Sequence, residues 1–306
     1  MLIKANRKVS KTIFALSVVC FILAGSSVSL GWGSGGHMMV AQIAFGRLNP
    51  NAKAKVQILL AVPINPAAVT AKSPDFVSAA HWADDVKHLP GFEFSGDLHF
   101  IDIPFATDGT ALPTDLPKTE NIVKALTHYV DVLKTSTDQN EQAQALRFII
   151  HFVGDIHQPL HCATKVDSTH PEGDLGGNKL MIKVRRNGTL HTVNLHSYWD
   201  GGIDKFPKEG PGPTFTPPPL SQIPPAAAIA TSANPDTSSG LNLSDPFNFQ
   251  AWADEGNALA KTVAYKNVAR GKQPSATYRA KALKAARKRV AFGGYRLAAL
   301  LNAIWP

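Results

Sequence analysis

The feature that most limits how this chain can fold is a segment, residues 141–158, whose apolar side chains would fall nearly all round a helix and which nevertheless contains His151 and Asp155 among them. A helix that is apolar nearly all round is buried, so this segment predicts a central helix. His151 and Asp155 are four residues apart and therefore share one face of it. Such a buried polar pair must be satisfied, either by a hydrogen bond between the two side chains or by a divalent metal. For this pair alone, the hydrogen bond is the simpler interpretation.

Helix signals dominate the rest of the chain and predict a mostly α, single-domain fold. Ser34 can cap a first helix, while Asn49-Pro50 and Ser73-Pro74 each combine a cap residue with proline at the first helical position. Three short helices are therefore expected between residues 36 and 88. Apolar stripes predict two more helices, at residues 121–134 and 276–304.

Two segments depart from this helical pattern. Residues rich in β-branched side chains lie on both sides of Asn187-Gly188, between Lys179 and Leu195, and predict a small β-hairpin. Residues 207–247 are rich in proline, serine, glycine and threonine and predict a long surface loop. The expected fold is therefore helical, with one hairpin and one extended loop.

The first 31 residues have the pattern of a signal peptide. Four cations, at positions 4, 7, 8 and 11, precede a short apolar run at residues 12–24, and small residues follow it. An apolar run of this length is too short to span a membrane. We expect cleavage after Gly31 and a secreted or periplasmic protein without stable membrane association. Lipid attachment at Cys20 is less favoured, because Val19 before it is not a small residue.

Removal of this segment changes what the composition implies. The net charge of +8 falls to +4 without those four cations, so charge alone is a weak indication of a polyanionic partner. Cys162 becomes the only cysteine, which excludes an intramolecular disulfide. Because exported proteins commonly use disulfides as staples, their absence favours another staple such as a bound metal.

Histidine and aspartate recur further along the chain in patterns that suit a metal centre. His196 and Asp200 repeat the four-residue spacing directly after the hairpin, where a local ion pair is the alternative. Proline at position 159 should end the buried helix and allow His161 to turn toward the same site. Three further stretches contain candidate metal ligands: Trp32 to His37, Trp82-Ala83-Asp84, and Leu98-His99-Phe100-Ile101-Asp102.

In this order and context, these strings resemble the zinc-dependent single-strand nuclease and 3′-nucleotidase family, which shares its fold and three-zinc centre with the bacterial zinc phospholipases C. The resemblance covers the chain from residue 32 to the last helix and implies one nuclease domain, residues 32–306, that binds three Zn²⁺ ions. It implies a first zinc held by Asp84, His99, His151 and Asp155. A second zinc would share Asp155 and be held by His37 and by the free amino and carbonyl groups of Trp32. The third would be held by His161, His196 and Asp200.

The resemblance also assigns roles toward a substrate. Asp84 would orient or deprotonate the nucleophile, and Lys87, on the same helix face, would contact the phosphate. Phe100 would stack on a base and Asp102 would hydrogen-bond its edge, which favours unpaired strands because only their bases are open. The plainer alternatives are a solvated lysine and a core phenylalanine. The implied function is an exported, monomeric endonuclease that hydrolyses P–O3′ bonds of single-stranded DNA and RNA to 5′-phosphate products, with 3′-nucleotides as further substrates.

Two other functions stay open. A zinc phospholipase C fits the same scaffold, but those enzymes typically have glutamate where this chain has Asp200, and Trp32 and His37 have the five-residue separation of the nucleases. A zinc-binding protein without catalysis would also retain the ligands, but it would leave Lys87 and Phe100 without a role. The chain differs from better-known members in lacking their disulfides, in the glycine after Asp200 and in the proline-rich segment. The first difference leaves metal as the main staple, and the other two leave the substrate preference open, including that between DNA and RNA.

Three nearby candidates match no ligand position of the family. Asp254 ends a second Trp-Ala-Asp string, His88 is four residues from Asp84, and His157 is four residues before His161. We therefore expect Asp254 to be structural and the two histidines not to bind metal.

Overall fold

The core forms around α6 (Gln139–Asp155), the helix predicted from the apolar segment. In the computed structural model, which describes residues 32–210 and 216–306, every residue of α6 from 145 to 155 is buried. The side chain of Asp138 caps its first turn. The helix ends at Asp155, slightly before the predicted end, and a short 3₁₀ turn (Pro159–Cys162) follows. The expected signal peptide, residues 1–31, lies outside the described residues.

Several other helices pack against α6, and together the helices confirm the mostly α fold. α5 (Ile122–Thr135) packs along it, with the rings of Tyr129 and Phe148 stacked 4.7 Å apart. α10 (Ala276–Ile304) has the predicted bounds and packs against α1 (Ser34–Phe45) and α6. The remaining α-helices are α2 (Pro50–Leu60), α3 (Ala67–Thr70), α4 (Trp82–Val86), α7 (Leu195–Asp200), α8 (Ile223–Ala233) and α9 (Phe249–Leu259), which continues into a π-helical turn (Ala260–Ala264). None of the helices in the described ranges combines the length with the apolar character that a bilayer span requires.

The predicted start of α2 is confirmed, whereas α1 begins differently. Asn49 caps α2 by accepting a hydrogen bond from the N–H of Ala52, and proline occupies the first helical position. In α1, Ser34 is the first helical residue instead of the cap. Its N–H and hydroxyl both donate to the carboxylate of Glu209, at 3.0 and 2.8 Å. A distant carboxylate therefore takes the place of a local cap.

The predicted helix start at Ser73-Pro74 is wrong. The side chain of Asp75 accepts hydrogen bonds from the N–H groups of Val77 and Ser78, which holds this stretch in a turn. Helical structure follows only as a 3₁₀ turn (Ser78–His81) and the short helix α4. The bonds of Asp75 thus shift the start of the α-helix to Trp82. Asp84 lies within this helix, α4, which has only five residues.

The predicted hairpin is confirmed. β3 (Met181–Arg186) pairs antiparallel with β4 (Thr189–Asn194), and Asn187 and Gly188 turn between them with φ of 48° and 81°. The open end of the hairpin leads directly into α7. A parallel pair, β1 (Pro104–Ala106) with β2 (Thr164–Val166), was not predicted, because strands this short carry too little periodicity to recognise.

Part of the segment predicted as a surface loop is helical. Within residues 207–247, a 3₁₀ turn (Leu220–Gln222) precedes α8. Pro224 and Pro225 fall in the first turn of α8, where the missing N–H of proline does no harm. Ala227 and Ala230 are buried, and α8 packs against α1 and α10. The loop prediction is therefore corrected for this helix, because packing of its small apolar face outweighs the proline-rich composition; residues 211–215 lie outside the described ranges.

Candidate metal centre

Four side chains from three separate segments meet within the core. Asp84 comes from α4, His99 from the end of a 3₁₀ turn (Glu93–His99), and His151 and Asp155 from one face of α6. Each of the four is at most 9% exposed. Since α6 is buried all round, its polar face has no access to water and must find partners among these residues.

The donor atoms of these four side chains are spaced like the corners of a small tetrahedron. Nε2 of His151 lies 3.1 Å from Nδ1 of His99, and both nitrogens lie 3.0 Å from Oδ2 of Asp155. Oδ1 of Asp84 lies 3.6 Å from the His151 nitrogen and 3.7 Å from the His99 nitrogen. Zinc bonds of about 2.0–2.1 Å in a tetrahedron separate neighbouring donors by about 3.3 Å. The first group of donors therefore fits a zinc ion.

A second group adjoins the first through the shared Asp155. Its other carboxylate oxygen, Oδ1, lies 3.3 Å from Nε2 of His37 on α1. The His37 ring stacks on the His151 ring with 3.8 Å between their centres. Gly154 makes this close approach possible, because a Cβ atom at that position would collide with Nδ1 of His37. The two oxygens of one carboxylate thus face two different groups of donors.

The third group consists of His161, His196 and Asp200. His161 belongs to the 3₁₀ turn after α6, and the other two lie one turn apart on α7, with Nε2 of His196 3.7 Å from Oδ1 of Asp200. The N–H of Gly33 donates to the backbone carbonyl of Asp200 at 3.0 Å. This bond brings the neighbouring Trp32, which is fully buried, to the end of α7.

Backbone carbonyls orient three of the histidine rings. These rings place Nδ1 within hydrogen-bond distance of a carbonyl oxygen: His151 on Ala80 at 2.7 Å, His161 on His99 at 2.7 Å, and His196 on Gly176 at 2.8 Å. A ring that donates from Nδ1 leaves Nε2 unprotonated, which is the form that binds a metal. The backbone therefore presets these three rings for coordination.

Several buried donor atoms of the three groups have no hydrogen-bond partner among the described residues. They are Nε2 of His37, His161 and His196, and Oδ1 of Asp155. Leaving a buried polar atom unpaired costs about 1–3 kcal/mol. Nitrogen and carboxylate donors are those that zinc prefers. The unpaired atoms and the donor chemistry together fit bound zinc at these groups.

Burial and neighbouring charges set the protonation states. Burial lowers the pKa of His37 and His99 to about 4 and that of His196 to about 3, so these rings stay neutral. Burial also acts to lower the pKa of His151, but the nearby carboxylates, Asp155 first, outweigh it and raise that pKa to about 9. Neutral His37, His99 and His196 beside ionised carboxylates are in the states that bind a cation, whereas His151 must release a proton before its Nε2 can bind a metal.

Donors of the first and third groups open onto one cleft of about 830 Å³, which His99, His161, His196 and Lys87 help to line. Lys87 is only 6% exposed, and its ammonium group donates to Oδ1 of Asp84 at 2.9 Å. Burial alone would raise the pKa of Asp84, but Lys87 and nearby histidines outweigh burial and hold that pKa below its usual range. The lysine is therefore part of the cleft and not a solvated residue of the helix surface.

Phe100 and Asp102 line the same cleft and are both half-buried, which distinguishes Phe100 from a core residue. Between them, the N–H of Ile101 donates to the carbonyl of His161 at 2.7 Å, which fixes this segment to the third group. Burial, with a smaller effect of Asp174, raises the pKa of the Asp102 carboxyl to about 6. The cleft thus presents an aromatic face and a carboxyl group beside the metal donors.

The three candidates that matched no ligand position stay outside the donor groups. Asp254 is exposed and accepts a hydrogen bond from Gln250. His157 is buried, and its two ring nitrogens face a backbone carbonyl and Arg296. His88 is exposed at the wall of the cleft. None of these three belongs to a group of potential metal donors among the described residues.

Sequence reasoning missed Gln158. Its side chain is fully buried, Nε2 donates to Oδ1 of Asp200 at 2.7 Å, and Oε1 accepts the N–H of Leu160 at 2.6 Å. No periodicity or spacing marks this residue, because its partner is 42 positions away. Its place in the turn between α6 and His161 is the one signal that could have drawn attention to it.

Comparison with known proteins points to one family. The family model described as S1/P1 Nuclease matches residues 32–306. The chain is 30% identical to Nuclease P1 of Penicillium citrinum over 289 residues, covering 89% of this chain and 97% of that protein. It is 29% identical to Nuclease S1 of Aspergillus oryzae over 308 residues, covering 94% and 97%. It is also 29% identical to Endonuclease 3 of Arabidopsis thaliana over 284 residues, covering 90% of each chain.

Proposed function

The chain belongs to the S1/P1 nuclease family, a family of zinc-dependent hydrolases, and from this premise we propose that it is an exported endonuclease of single-stranded DNA and RNA. It would hydrolyse the P–O3′ bond, leave 5′-phosphate ends and also accept 3′-nucleotides. One observation supports this most directly: donors of two metal-type groups line the same cleft as an aromatic ring and a buried lysine. A site that only stored metal would need neither the ring nor the lysine.

The donor groups would hold three zinc ions in the sets that the family resemblance implies. Asp84, His99, His151 and Asp155 would hold the first, and Asp155 would be shared with His37 and Trp32 at the second. His161, His196 and Asp200 would hold the third. Zinc bound at such sites lowers the pKa of water so that it can act as a nucleophile, and it neutralises phosphate charge.

Asp84 and Lys87 are the catalytic residues of this proposal. Asp84 is ionised because Lys87 and the histidines outweigh its burial, so its carboxylate can accept a proton from the attacking water or orient it. The ammonium group of Lys87 lies at the cleft wall and can stabilise charge on the phosphate. Because this lysine is largely withdrawn from water, its charge acts more strongly than it would on the surface.

Phe100 and Asp102 would receive the base next to the scissile phosphate. Stacking on an aromatic ring stabilises a bound base by about 1–3 kcal/mol whatever its identity. The carboxylate of Asp102 can accept an N–H from a base edge. A base inside a duplex offers neither its face nor its free edge, so this pair supports a preference for unpaired strands of either DNA or RNA.

The cellular setting is part of the same proposal. The N-terminal pattern of cations, apolar run and small residues supports secretion or transport to the periplasm with removal of residues 1–31. We expect the released protein to act as a monomer, without stable membrane association.

One assay separates this function from its rivals. Zinc-loaded protein beginning at Trp32 is offered single-stranded DNA, RNA and a phosphatidylcholine emulsion. We expect cleavage of both nucleic acids, no hydrolysis of the lipid, and about three zinc ions per chain after dialysis. Hydrolysis of the lipid alone would identify a phospholipase C, and three bound zinc ions without hydrolysis of any substrate would identify a zinc-binding protein. One zinc ion or none would contradict the proposed ligand sets.

Lys87→Ala tests the assigned role of this lysine. A charge that stabilises the transition state affects turnover more than binding, so kcat should fall by roughly a hundredfold while KM and zinc content change little. Lys72→Ala is the control, because Lys72 is exposed and lies outside the cleft. Full turnover in Lys87→Ala would remove this residue from the mechanism.

A further inference from the structure

The hairpin carries a second cavity, of about 220 Å³, that the proposed chemistry does not use. It lies beside β3, between that strand, α7 and the residues that precede and begin α10. We call it the hairpin cavity. The side chains that matter for its chemistry are Lys183, Arg185, Tyr198, Asp204 and Arg279.

The charge around the hairpin cavity is unbalanced. Its one carboxylate, Asp204, is already held by Arg186, at 2.7 Å. Arg185 and Arg279 donate to the backbone carbonyls of Gly188 and Pro274, both at 2.6 Å. Within the described ranges, neither arginine nor the exposed lysine at position 183 has a carboxylate at ion-pair distance. Three uncompensated cations around one cavity suit an anionic ligand.

Tyr198 contributes a neutral donor to the same cavity. It is 3% exposed and lines the cavity, and its hydroxyl has no hydrogen-bond partner in the part of the chain that the structure describes. Tyr198 lies on α7 between His196 and Asp200, which share the face that forms the third donor group. Because Tyr198 is two residues from His196 and two from Asp200, its side chain projects to the opposite side of α7. The hairpin cavity is therefore separated from the third group by the thickness of α7.

The backbone of β3 connects this cavity to the catalytic cleft. Met181 lines the cleft, and Lys183 follows two residues later on the same strand, about 7 Å further along. Alternate residues of a strand project to the same side, so positions 181, 183 and 185 form a row that leads away from the cleft. The N–H of Lys183 donates to the carbonyl of Lys272 at 3.1 Å, which fixes this edge of the strand. The row is thus held on a rigid part of the fold.

We propose that the hairpin cavity binds a backbone phosphate of the nucleic-acid strand whose scissile bond lies in the cleft. This inference rests on the proposed function and adds a second contact to it, outside the metal groups and the base site. A phosphodiester carries one negative charge and oxygen acceptors, which three cations and a phenol can satisfy together. Since such contacts do not read bases, the cavity raises the affinity for longer strands without adding sequence preference.

The test compares a long and a short substrate. Lys183→Gln, Arg185→Gln and Arg279→Gln are combined, and kcat/KM is measured on a strand of twenty thymidylates and on the dinucleotide TpT, whose single phosphate occupies only the cleft. Each lost phosphate contact on a single strand changes the slope of log K against log salt by about 0.7, so loss of the one phosphate in the cavity should make the slope shallower by about 0.7. At 0.1 M salt, kcat/KM on the long strand should fall by about ten- to a hundredfold. The value for TpT should stay within twofold of wild type.

Two further variants make the result specific. Lys72→Gln, Lys281→Gln and Lys284→Gln combined remove the same charge from exposed positions that line neither cavity, and should leave both substrates unaffected. Tyr198→Phe preserves the packing and removes only the hydroxyl, so it should lower kcat/KM on the long strand by about fivefold. Tyr198→Phe reports on the cavity even if the triple glutamine variant folds poorly.

Three results would overturn the inference. They are an unchanged long-strand kcat/KM in the triple glutamine variant, an equal loss on TpT, and binding of inorganic phosphate at the cavity without any effect on the long strand. If the wild-type protein cleaves neither substrate, the proposed function has failed. The cavity is then judged separately by fluorescence anisotropy of a labelled strand with the zinc-loaded protein, where the same loss of affinity is expected.

Discussion

The side-chain amide of Gln158 donates to Oδ1 of Asp200 at 2.7 Å and so joins the end of the central helix to the third donor group. Its oxygen accepts the N–H of Leu160, which fixes the amide orientation because only Nε2 can then donate. The same oxygen lies 3.7 Å from Nε2 of His196, so the bond fixes the Asp200 carboxylate within the third group. A fully buried amide thus aligns a ligand that comes from a different segment of the chain.

Gln158→Glu should weaken the third zinc site. Glutamate retains the acceptor for Leu160 but cannot donate to Asp200, and it places a second negative charge beside that carboxylate. Loss of an outer-shell partner typically costs ten- to a hundredfold in metal affinity, so competition titration with a chelator should show one weakened zinc of three. Gln142→Glu, at the other end of α6 where the amide donates to the carbonyl of Ser136, is the control. Three zinc ions of wild-type affinity in Gln158→Glu would show that the bond does not align the ligand.

The central helix and its polar pair could be predicted because both are local properties of the sequence. An apolar run with His151 and Asp155 one turn apart defines a buried helix with one polar face, and α6 confirms it. The family resemblance then extended the pair to the remaining donors. What joins them is not local: the His161 ring is oriented by the carbonyl of His99, which is 62 residues away. No periodicity in one sequence encodes such a bond.

Two predictions made from the sequence, a helix start and a surface loop, were wrong for physical reasons. Ser73-Pro74 has the form of a helix start, but the neighbouring Asp75 binds the backbone of the next turn and delays the helix. In the proline-rich segment, composition favoured a loop, whereas burial of Ala227 and Ala230 against α1 and α10 stabilises α8. In the first case a local bond overrides a local signal, and in the second tertiary packing overrides composition.

Gly154→Ala should remove one zinc without unfolding the chain. A methyl group at this position would collide with Nδ1 of His37, and neither the buried α6 backbone nor the stacked His151 ring leaves room to shift. Alanine favours helix over glycine by about 1 kcal/mol, so the helix itself should persist. Metal analysis should give about two zinc ions, with an unchanged far-ultraviolet circular dichroism spectrum. Gly46→Ala is the control, because its nearest contacts lie at 3.8 Å; three zinc ions in Gly154→Ala would contradict the prediction.

Phe100→Ala should impair substrate binding and leave the metal in place. Loss of about 1–3 kcal/mol of stacking corresponds to roughly a 5- to 150-fold increase in KM for a single strand. Phe94→Ala is a matched control, since Phe94 lies on the 3₁₀ turn that ends directly before Phe100 but is 56% exposed and does not line the cleft. Zinc content is measured on both variants. Wild-type cleavage of single strands by Phe100→Ala would make the base-site assignment wrong.

Asp102 should make stability depend on pH in a direction opposite to that of most carboxylates. Burial and then Asp174 raise its folded-state pKa from 3.8 to about 6, although Lys118 and Lys179 act to lower it. Between these two values the folded chain binds more protons at Asp102 than the unfolded chain, so this residue's contribution to the free energy of unfolding falls as pH rises. Asp102→Asn removes this decrease in the free energy of unfolding with rising pH. In urea titrations, the variant should therefore gain stability relative to wild type from pH 4 to pH 7, and a constant difference would contradict the assigned pKa.

The last prediction concerns Trp32, which becomes the first residue if the chain is cleaved after Gly31 as proposed. Trp32 is fully buried, its ring centre lies 5.4 Å from that of Phe206, and the next N–H donates to the carbonyl of Asp200. If Trp32 binds the second zinc through its α-amino nitrogen, that nitrogen must be a free amine, because an amide nitrogen has no lone pair to offer a metal. Cleavage after Gly31 would then complete the second site, and the precursor would be inactive before export.

A chain that begins at Trp32 should therefore bind about three zinc ions and cleave single strands, whereas a chain that begins at Gly31 should bind about two and lose most activity. Both chains should fold, because the first and third donor groups do not use the terminal amine. The alternative is that the indole only fills an apolar site beside Phe206, in which case one additional residue changes little. Zinc content and single-strand cleavage are compared for the two chains. Equal values in both would refute the terminal ligand and leave Trp32 with a packing role alone.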